Sequence, residues 1–202
     1  MFFRHPILIT KLFRELIWNF PDLKDKIYLT FDDGPTPEIT PWVLDVLKGF
    51  KTKATFFCLG KNVEKYPDLF ERIIKEGHTV GNHTYSHLDG WKTKNNEYFK
   101  DIELADKSIN SKLFRPPFGR IRPSQIKYLK NKYEIIMWDV LCQDFNQKIS
   151  KESCLQKVLK QKKGGSIIVF HDTIKAGKNL YYLLPGMLDG IKKKSFGFGM
   201  IE

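Results

Sequence analysis

The chain has 202 residues, of which 42% are apolar and 28% are charged, as is typical of one soluble globular domain with a substantial core. This composition excludes collagen, a coiled coil and a largely disordered chain. The formal net charge of +11 leaves two interpretations open. It indicates either a lysine-rich solvated surface or attraction to an anionic partner, such as a cell-wall polymer or a membrane. Because no zinc-finger, RRM or KH pattern occurs, we expect no nucleic-acid partner.

Residues 1–25 are predicted to form a helical extension packed on the domain. Residues 1–20 are rich in apolar residues, but Arg4, Lys11, Arg14 and Glu15 interrupt them. The apolar residues within 7–18 stand at helical spacing. The apolar runs are therefore too short for a signal peptide or a membrane span. The alternative is an interfacial helix in peripheral contact with an anionic membrane.

The cysteine count bears on the compartment. Cys58, Cys142 and Cys154 are odd in number and form no CxxC pair. This usage is compatible with a reducing compartment and gives no support to a disulfide framework. We therefore expect a cytoplasmic or peripheral-membrane protein, and its oligomeric state stays open.

Residues 26–202 are predicted to form one α/β domain. Strands are predicted at 26–31, 54–58, 78–80, 112–114, 134–138 and 166–170. Helices are predicted at 41–48, 67–76, 95–111, 123–131, 150–162 and 180–194. This alternation predicts parallel strands covered by helices, in either a barrel or an open doubly wound sheet. No GxGxxG opens a helix, so dinucleotide binding has no support.

Polar residues that could perform chemistry follow the predicted strands. They are Asp32, Asp33, Asn82, His83, His87, Arg115, Asp139, Asp144, His171 and Asp172. In a parallel α/β barrel, the carboxyl ends of the strands open on one face, where active sites are built. The pattern therefore predicts a single site.

The sequence contains the ligand set of a catalytic metal. His83 and His87 stand at i and i+4, and on a helical turn they would face the same way. Two histidines and one carboxylate can hold a metal that keeps one position open for water. Of the adjacent Asp32 and Asp33, one can bind the metal while the other acts as a base.

Four further residues fit the hydrolysis of an acyl group. Arg115 can grip a carboxylate with its planar fork. His171 can protonate a leaving amine near neutral pH, and Asp144 can orient it and raise its pKa. Pro116 and Pro117 have no N–H, so Phe118 is the first residue after Arg115 with a backbone donor.

Five segments in this order resemble the motifs of polysaccharide deacetylases, the NodB-homology group of carbohydrate esterase family 4. They are TFDDGP at 30–35, HTYSH at 83–87, RPPFG at 115–119, WDVLCQDF at 138–145 and VFH at 169–171. The resemblance implies a single-domain, distorted (β/α)7 barrel over residues 26–202. It also implies Zn²⁺ or another divalent ion (Co²⁺, Mn²⁺ or Ni²⁺) held by Asp33, His83 and His87.

The resemblance assigns the remaining roles. Asp32 would be the general base, held by Arg115, and His171 would be the general acid, tuned by Asp144. The backbone N–H of Phe118 would help to stabilise the oxyanion. The implied reaction is removal of N-acetyl groups from amino sugars in chitin, peptidoglycan or similar glycans.

The sequence departs from the family pattern around the substrate. Leu141 replaces a frequent aspartate of the fourth motif, Phe145 replaces a tryptophan, and Val169 replaces a leucine. Phe145 keeps an aromatic wall without the indole N–H, and Val169 predicts a slightly wider pocket for the acetyl methyl. Two alternative functions stay open, namely an O-acetyl esterase and a carbohydrate-binding protein without catalysis.

Overall fold

The computed structural model describes residues 7–202. In this part of the chain, eight parallel strands form one sheet that curls into a half-barrel. The strands are β1 (Lys26–Asp32), β2 (Thr55–Cys58), β3 (Thr79–Asn82), β4 (Leu113–Phe114), β5 (Glu134–Ile135), β6 (Val140–Leu141), β7 (Ile167–His171) and β8 (Gly197–Gly199). Their order is β5-β4-β3-β2-β1-β7-β6, and β8 pairs with the first half of β1. The predicted distorted (β/α)7 barrel is confirmed.

Helices follow most of the strands and cover the outer face of the sheet. They are α1 (Ile7–Leu12), α2 (Thr40–Gly49), α3 (Gly60–Lys65), α4 (Pro67–Lys75), α5 (Asn95–Ile109), α6 (Pro123–Leu129), α7 (Lys151–Gln161) and α8 (Ile174–Lys192). Local sequence explains several starts. Proline opens α4 and α6, where its missing N–H costs nothing. The hydroxyl of Ser150 caps α7 by accepting a hydrogen bond from the backbone N–H of Ser153.

The sequence prediction missed the short elements β6, β8 and α3 and placed the start of α8 too late. Helix α8 begins at Ile174 rather than at residue 180, although it contains Gly177 and Pro185. A Cβ on Gly177 would lie 2.6 Å from Cδ1 of Ile39, so a larger residue there would force the buried Ile39 side chain to shift. Close packing thus overrides the low helix propensity of glycine.

The strands place alternate side chains on the two faces of the sheet. On β1, Leu29 and Phe31 belong to the core between the sheet and the helices, and the ring of Phe31 stacks on Phe56 and Phe170. Burial of each such ring stabilises the fold by roughly 2–3 kcal/mol. Because side chains alternate along a strand, the interleaved Thr30 and Asp32 face the interior of the barrel.

The N-terminal segment forms part of the barrel, and the predicted helix over residues 7–18 is wrong beyond Leu12. Ile17 forms a parallel bridge with Ile136, and Asn19 forms an antiparallel bridge with Ser166. The segment therefore fills the space between β5 and β7. Its extended backbone pairs with N–H and C=O groups beside these two strands, which a longer helix in the segment would leave unpaired. No helix within residues 7–202 is long and apolar enough to cross a membrane.

This arrangement predicts that Trp18 stabilises the barrel. Its side chain is only 7% exposed and lies in the interior apolar cluster. Trp18→Ala is expected to lower the free energy of unfolding by about 3–5 kcal/mol, because it leaves a cavity in that cluster. Urea unfolding measures the effect. Leu12→Ala, at a position that is 74% exposed, is the matched control, and equal stability of the two variants would contradict the role of the segment.

Candidate active site

Three potential metal ligands converge at the carboxyl ends of β1 and β3. Oδ1 of Asp33 lies 3.4 Å from Nε2 of His83 and 3.1 Å from Nε2 of His87. One ligand atom from each residue lies within 4.8 Å of the other two. Asp33 follows β1 with a φ of 80°, and Nδ2 of Asn62 donates a 2.8 Å hydrogen bond to its carbonyl. The three side chains predicted to bind the metal therefore lie close enough together to contact one ion.

The bonding within this cluster fits a divalent cation. Oδ1 of Asp33 is buried, and its polar neighbours among the described residues are the Nε2 atoms of His83 and His87, so a cation bound between the three would neutralise it. Burial acts to raise the pKa of Asp33, but the imidazoles of His83 and His87 hold that pKa well below its usual range. Nδ1 of His83 lies 2.7 Å from the carbonyl oxygen of Arg115 and donates to it. The lone pair on Nε2 of His83 is therefore left for the cluster, as in histidines that ligate metals.

A loop, and not the predicted helical turn, brings the two histidines together. Thr84 and His87 have φ values of 67° and 66°, which no α-helix contains. Asn82 accepts a hydrogen bond from the N–H of Thr84, and the hydroxyl of Thr84 accepts one from the N–H of His87. Asp101 on α5 accepts two more from backbone N–H groups of the loop, at 2.9 and 3.0 Å. The two histidines therefore lie close together, as their i, i+4 spacing predicted, but the predicted helical turn is wrong.

Asp32 is fixed by a buried ion pair with Arg115. Nη1 of Arg115 donates to Oδ1 of Asp32 and to the hydroxyl of Thr30, both at 2.7 Å. The other guanidinium nitrogens donate to two backbone carbonyls just after β5, and the group stacks 4.0 Å from the ring centroid of Phe57. Burial lowers the pKa of Arg115 while Asp32 raises it, and a guanidinium stays charged at any working pH. Asp32 is held as an oriented carboxylate on the wall of the cavity.

His171 pairs with the buried Asp144 across the cavity. Nδ1 of His171 donates to Oδ1 of Asp144 at 2.8 Å, and the backbone N–H of His171 donates to Oδ2 at 2.6 Å. Burial acts to lower the pKa of His171, but Asp144, with Asp33 and Asp32 nearby, raises that pKa to about 9. The imidazole is therefore protonated near neutral pH and can donate a proton from Nε2.

One cavity of about 340 Å³ joins these groups. Its walls are formed by Asp32, Asp33, His83, His87, Phe118, Arg120, Trp138, Leu141, Phe145, Val169, His171, Thr173 and Lys175. Leu141 and Val169 are register partners on β6 and β7 and form an apolar patch. The ring of Phe145 meets His171 edge-on at 5.0 Å, and the exposed ring of Phe118 lies 4.5 Å from that of His87. The three predicted substrate-binding residues, Phe118, Phe145 and Val169, thus line this cavity.

Comparison with known sequences identifies the family. A profile described as polysaccharide deacetylase matches residues 21–135. A peptidoglycan-N-acetylglucosamine deacetylase of Bacillus cereus is 40% identical over 160 residues, which are 76% of this chain and 58% of that protein. A second B. cereus protein of the same name is 35% identical over 190 residues, which are 90% of this chain and 88% of that protein. The chain belongs to the polysaccharide deacetylase family.

Comparison with solved structures agrees with this family. A crystal structure of a peptidoglycan N-acetylglucosamine deacetylase bound to a naphthalenyl N-hydroxybenzamide matches with a TM-score of 0.89 and 33% identity, over 98% of this chain and 95% of that chain. The predicted family is therefore confirmed, and enzymes of this family are metal-dependent. The chain spans little more than half of the first B. cereus relative.

Asp139 lies outside the candidate active site, although it follows a predicted strand. It precedes β6, at the opposite end of the barrel, and accepts hydrogen bonds of 3.1 Å from the hydroxyl of Ser166 and the N–H of Ile167. Asp139 therefore anchors the start of β7. The prediction that Asp139 follows a strand into the site was wrong, because the two-residue strand β6 that begins after it was not recognised.

Asp172 supports the candidate active site, although the sequence suggested no role for it. Its carboxylate accepts hydrogen bonds from the N–H of Gly34 at 3.1 Å and the hydroxyl of Thr40 at 2.5 Å. Burial raises the pKa of Asp172 to about 7. A Cβ on Gly34 would lie 2.0 Å from Oδ2 of Asp172, so only glycine fits beside Asp33. The adjacency of Asp172 to His171 was the only signal in the sequence.

The His171–Asp144 pair generates a prediction about proton affinity. In metal-free protein, NMR titration of His171 is expected to give a pKa of about 9. Asp144→Asn removes the neighbouring negative charge, so the pKa of His171 should fall by about one unit or more. Asp45→Asn, at a carboxylate paired with Arg72 on the surface, is the control. An unchanged pKa in Asp144→Asn would show that Asp144 does not tune His171.

Proposed function

We propose that this chain is a zinc-dependent N-deacetylase of the N-acetylglucosamine residues in peptidoglycan. The proposal rests on one observation above all. The cluster of Asp33, His83 and His87 lines the same cavity as Asp32 and His171. Behind the cavity wall, Arg115 holds Asp32 and Asp144 holds His171. A protein that only bound carbohydrate would need neither the held carboxylate nor the raised pKa of His171.

Asp33, His83 and His87 would hold the ion. One buried carboxylate with two imidazoles suits Zn²⁺, and Co²⁺, Mn²⁺ and Ni²⁺ accept similar donors. A bound divalent ion would supply polarisation of the acetyl carbonyl and a water of lowered pKa. The buried Oδ1 of Asp33 and the hydrogen bond that fixes Nε2 of His83 toward the cluster support this assignment.

The chain's own residues perform the proton transfers. Asp32, oriented by Arg115, accepts a proton as water attacks the acetyl carbonyl. The backbone N–H of Phe118, at the mouth of the cavity, is the proposed donor to the oxyanion. His171 donates a proton from Nε2 to the departing nitrogen, so that a neutral amine leaves. Amide hydrolysis needs this last step because an amine is a poor leaving group.

The mouth of the cavity supports a glycan that carries carboxylates. Arg120 and Lys175 line it, and Arg120 also pairs with Asp89 at 2.5 Å. Lys175 forms no ion pair with any carboxylate among the described residues, and its ammonium lies 5.8 Å from the ring centroid of Phe145. Peptidoglycan strands bear the carboxylates of their peptide stems, whereas chitin is neutral. Peptidoglycan is also the substrate in the names of both B. cereus relatives. Membrane contact and localisation stay predictions.

Acetate release with zinc tests the proposed function. The wild-type enzyme should deacetylate peptidoglycan fragments with a higher kcat/KM than neutral N-acetylglucosamine oligomers. Asp32→Asn should keep zinc binding but lose about 10²–10⁴-fold in kcat, because it removes the base and spares the ligands. Asp33→Ala should lose both zinc and turnover. The carbohydrate-binding alternative makes a different prediction. It would be favoured if the zinc-loaded wild type and the Asp32→Asn variant bound these glycans equally well and neither released acetate.

A second experiment separates amide from ester hydrolysis. An ester releases an alcohol, which needs less protonation than an amine does. His171→Ala is therefore expected to reduce kcat on an N-acetyl sugar at least about tenfold more than on acetylxylan. Equal losses on both substrates, with faster turnover of acetylxylan by the wild type, would favour the O-acetyl esterase alternative.

A further inference from the structure

The face of the barrel opposite the active site is strongly basic. Lysines cluster before the amino ends of β1, β2, β7 and β8, whereas the catalytic groups follow carboxyl ends. These lysines line two cavities, of about 610 and 640 Å³, which adjoin at Phe196. We call the two cavities together the basic groove, and its lysines are Lys24, Lys26, Lys51, Lys53, Lys160, Lys162, Lys163, Lys192 and Lys194.

The lysines of the basic groove lack acidic partners. Among residues 10–202, no ion pair joins any of them to a carboxylate. By contrast, Lys130 and Lys132, before β5, pair with Glu15 and Asp106. Within the described part of the chain, the carboxylates that line the groove with the nine lysines are those of Asp139 and Glu202. Much of the net charge of +11 is thus concentrated on this face rather than spread over a solvated surface.

Lys162 shows that the groove is more than a set of surface lysines. It is only 8% exposed and lines the groove with its ammonium 5.0 Å from the ring centroid of Phe196. Burial, with a smaller contribution from Lys194, lowers the pKa of Lys162. A buried cation without a carboxylate is costly, and an anion in the groove would compensate it.

We propose that the basic groove binds a linear polyanion that carries a charged phosphate in each repeat. Charge complementarity favours such a ligand, because successive phosphates along one chain can meet lysines in both adjoining cavities. The recess also favours a chain over a flat bilayer surface, since a narrow polymer can enter and approach Lys162. Because the groove opens away from the catalytic cavity, a bound polymer leaves that cavity accessible to glycan. Attachment to such a polymer would raise the local concentration of the enzyme at its substrate.

Two triple variants with the same charge test the proposal. Lys24→Gln, Lys163→Gln and Lys194→Gln remove exposed lysines of the groove. The control combines Lys100→Gln, Lys107→Gln and Lys127→Gln, at exposed lysines on α5 and α6. The probe is inorganic polyphosphate, with affinity measured by calorimetry at several salt concentrations. Vesicles of phosphatidylglycerol and phosphatidylcholine form a second arm.

The groove variant should bind polyphosphate at least about tenfold more weakly than wild type. The slope of log affinity against log salt concentration should become shallower by about two, because counterion release scales with the number of phosphate contacts. The control should lose about twofold or less. Equal losses in both variants, or no binding by wild type at low salt, would overturn the proposal. Preference of wild type for the vesicles would assign the face to a membrane instead. Both variants should deacetylate a small soluble substrate like wild type, which verifies folding and separates this test from that of the proposed function.

Discussion

The active site depends on the burial of Arg115. A fully buried guanidinium costs several kcal/mol unless its charge and its N–H groups are satisfied, and here Asp32, Thr30 and two backbone carbonyls satisfy them. The same residue orients His83, because its own carbonyl accepts the Nδ1 proton of that histidine. Arg115 thus fixes the proposed base with its side chain and a proposed metal ligand with its backbone. The proton-transfer and metal-binding halves of the site are therefore coupled through a single buried residue.

The chemistry of the site was predictable because it lies in short segments at strand ends. Runs such as those in β1 and β7 are continuously buried, so their apolar sequences gave the strand positions, and the polar residues that follow them had to meet on one face. The predictions failed where tertiary contacts decide the local structure. The loop between His83 and His87 is shaped by Asn82 and by Asp101, which lies in the following helix.

The supporting contacts could not be predicted, because they join residues far apart in the chain. Asp172 reaches Gly34 across 138 positions, and Nδ2 of Asn179 donates to the carbonyl of Asp144 across 35 positions. No periodicity or motif encodes such pairs. The basic groove was equally hidden, since lysines occur in most polar segments of the sequence. Only the fold shows that those before β5 are paired while those before β1 and β7 are not.

The pairing of Ile17 with Ile136 has a consequence for where the catalytic domain begins. The family profile matches from residue 21, and the predicted domain began at residue 26. A protein cut at either position would lack the buried side chains of Leu16 and Trp18 and would expose the backbone beside β5. An unpaired, apolar strand edge invites association between copies. The boundary suggested by sequence similarity is therefore not the boundary of the folding unit, which includes the residues from Phe13 to Phe20 that complete the wall of the barrel.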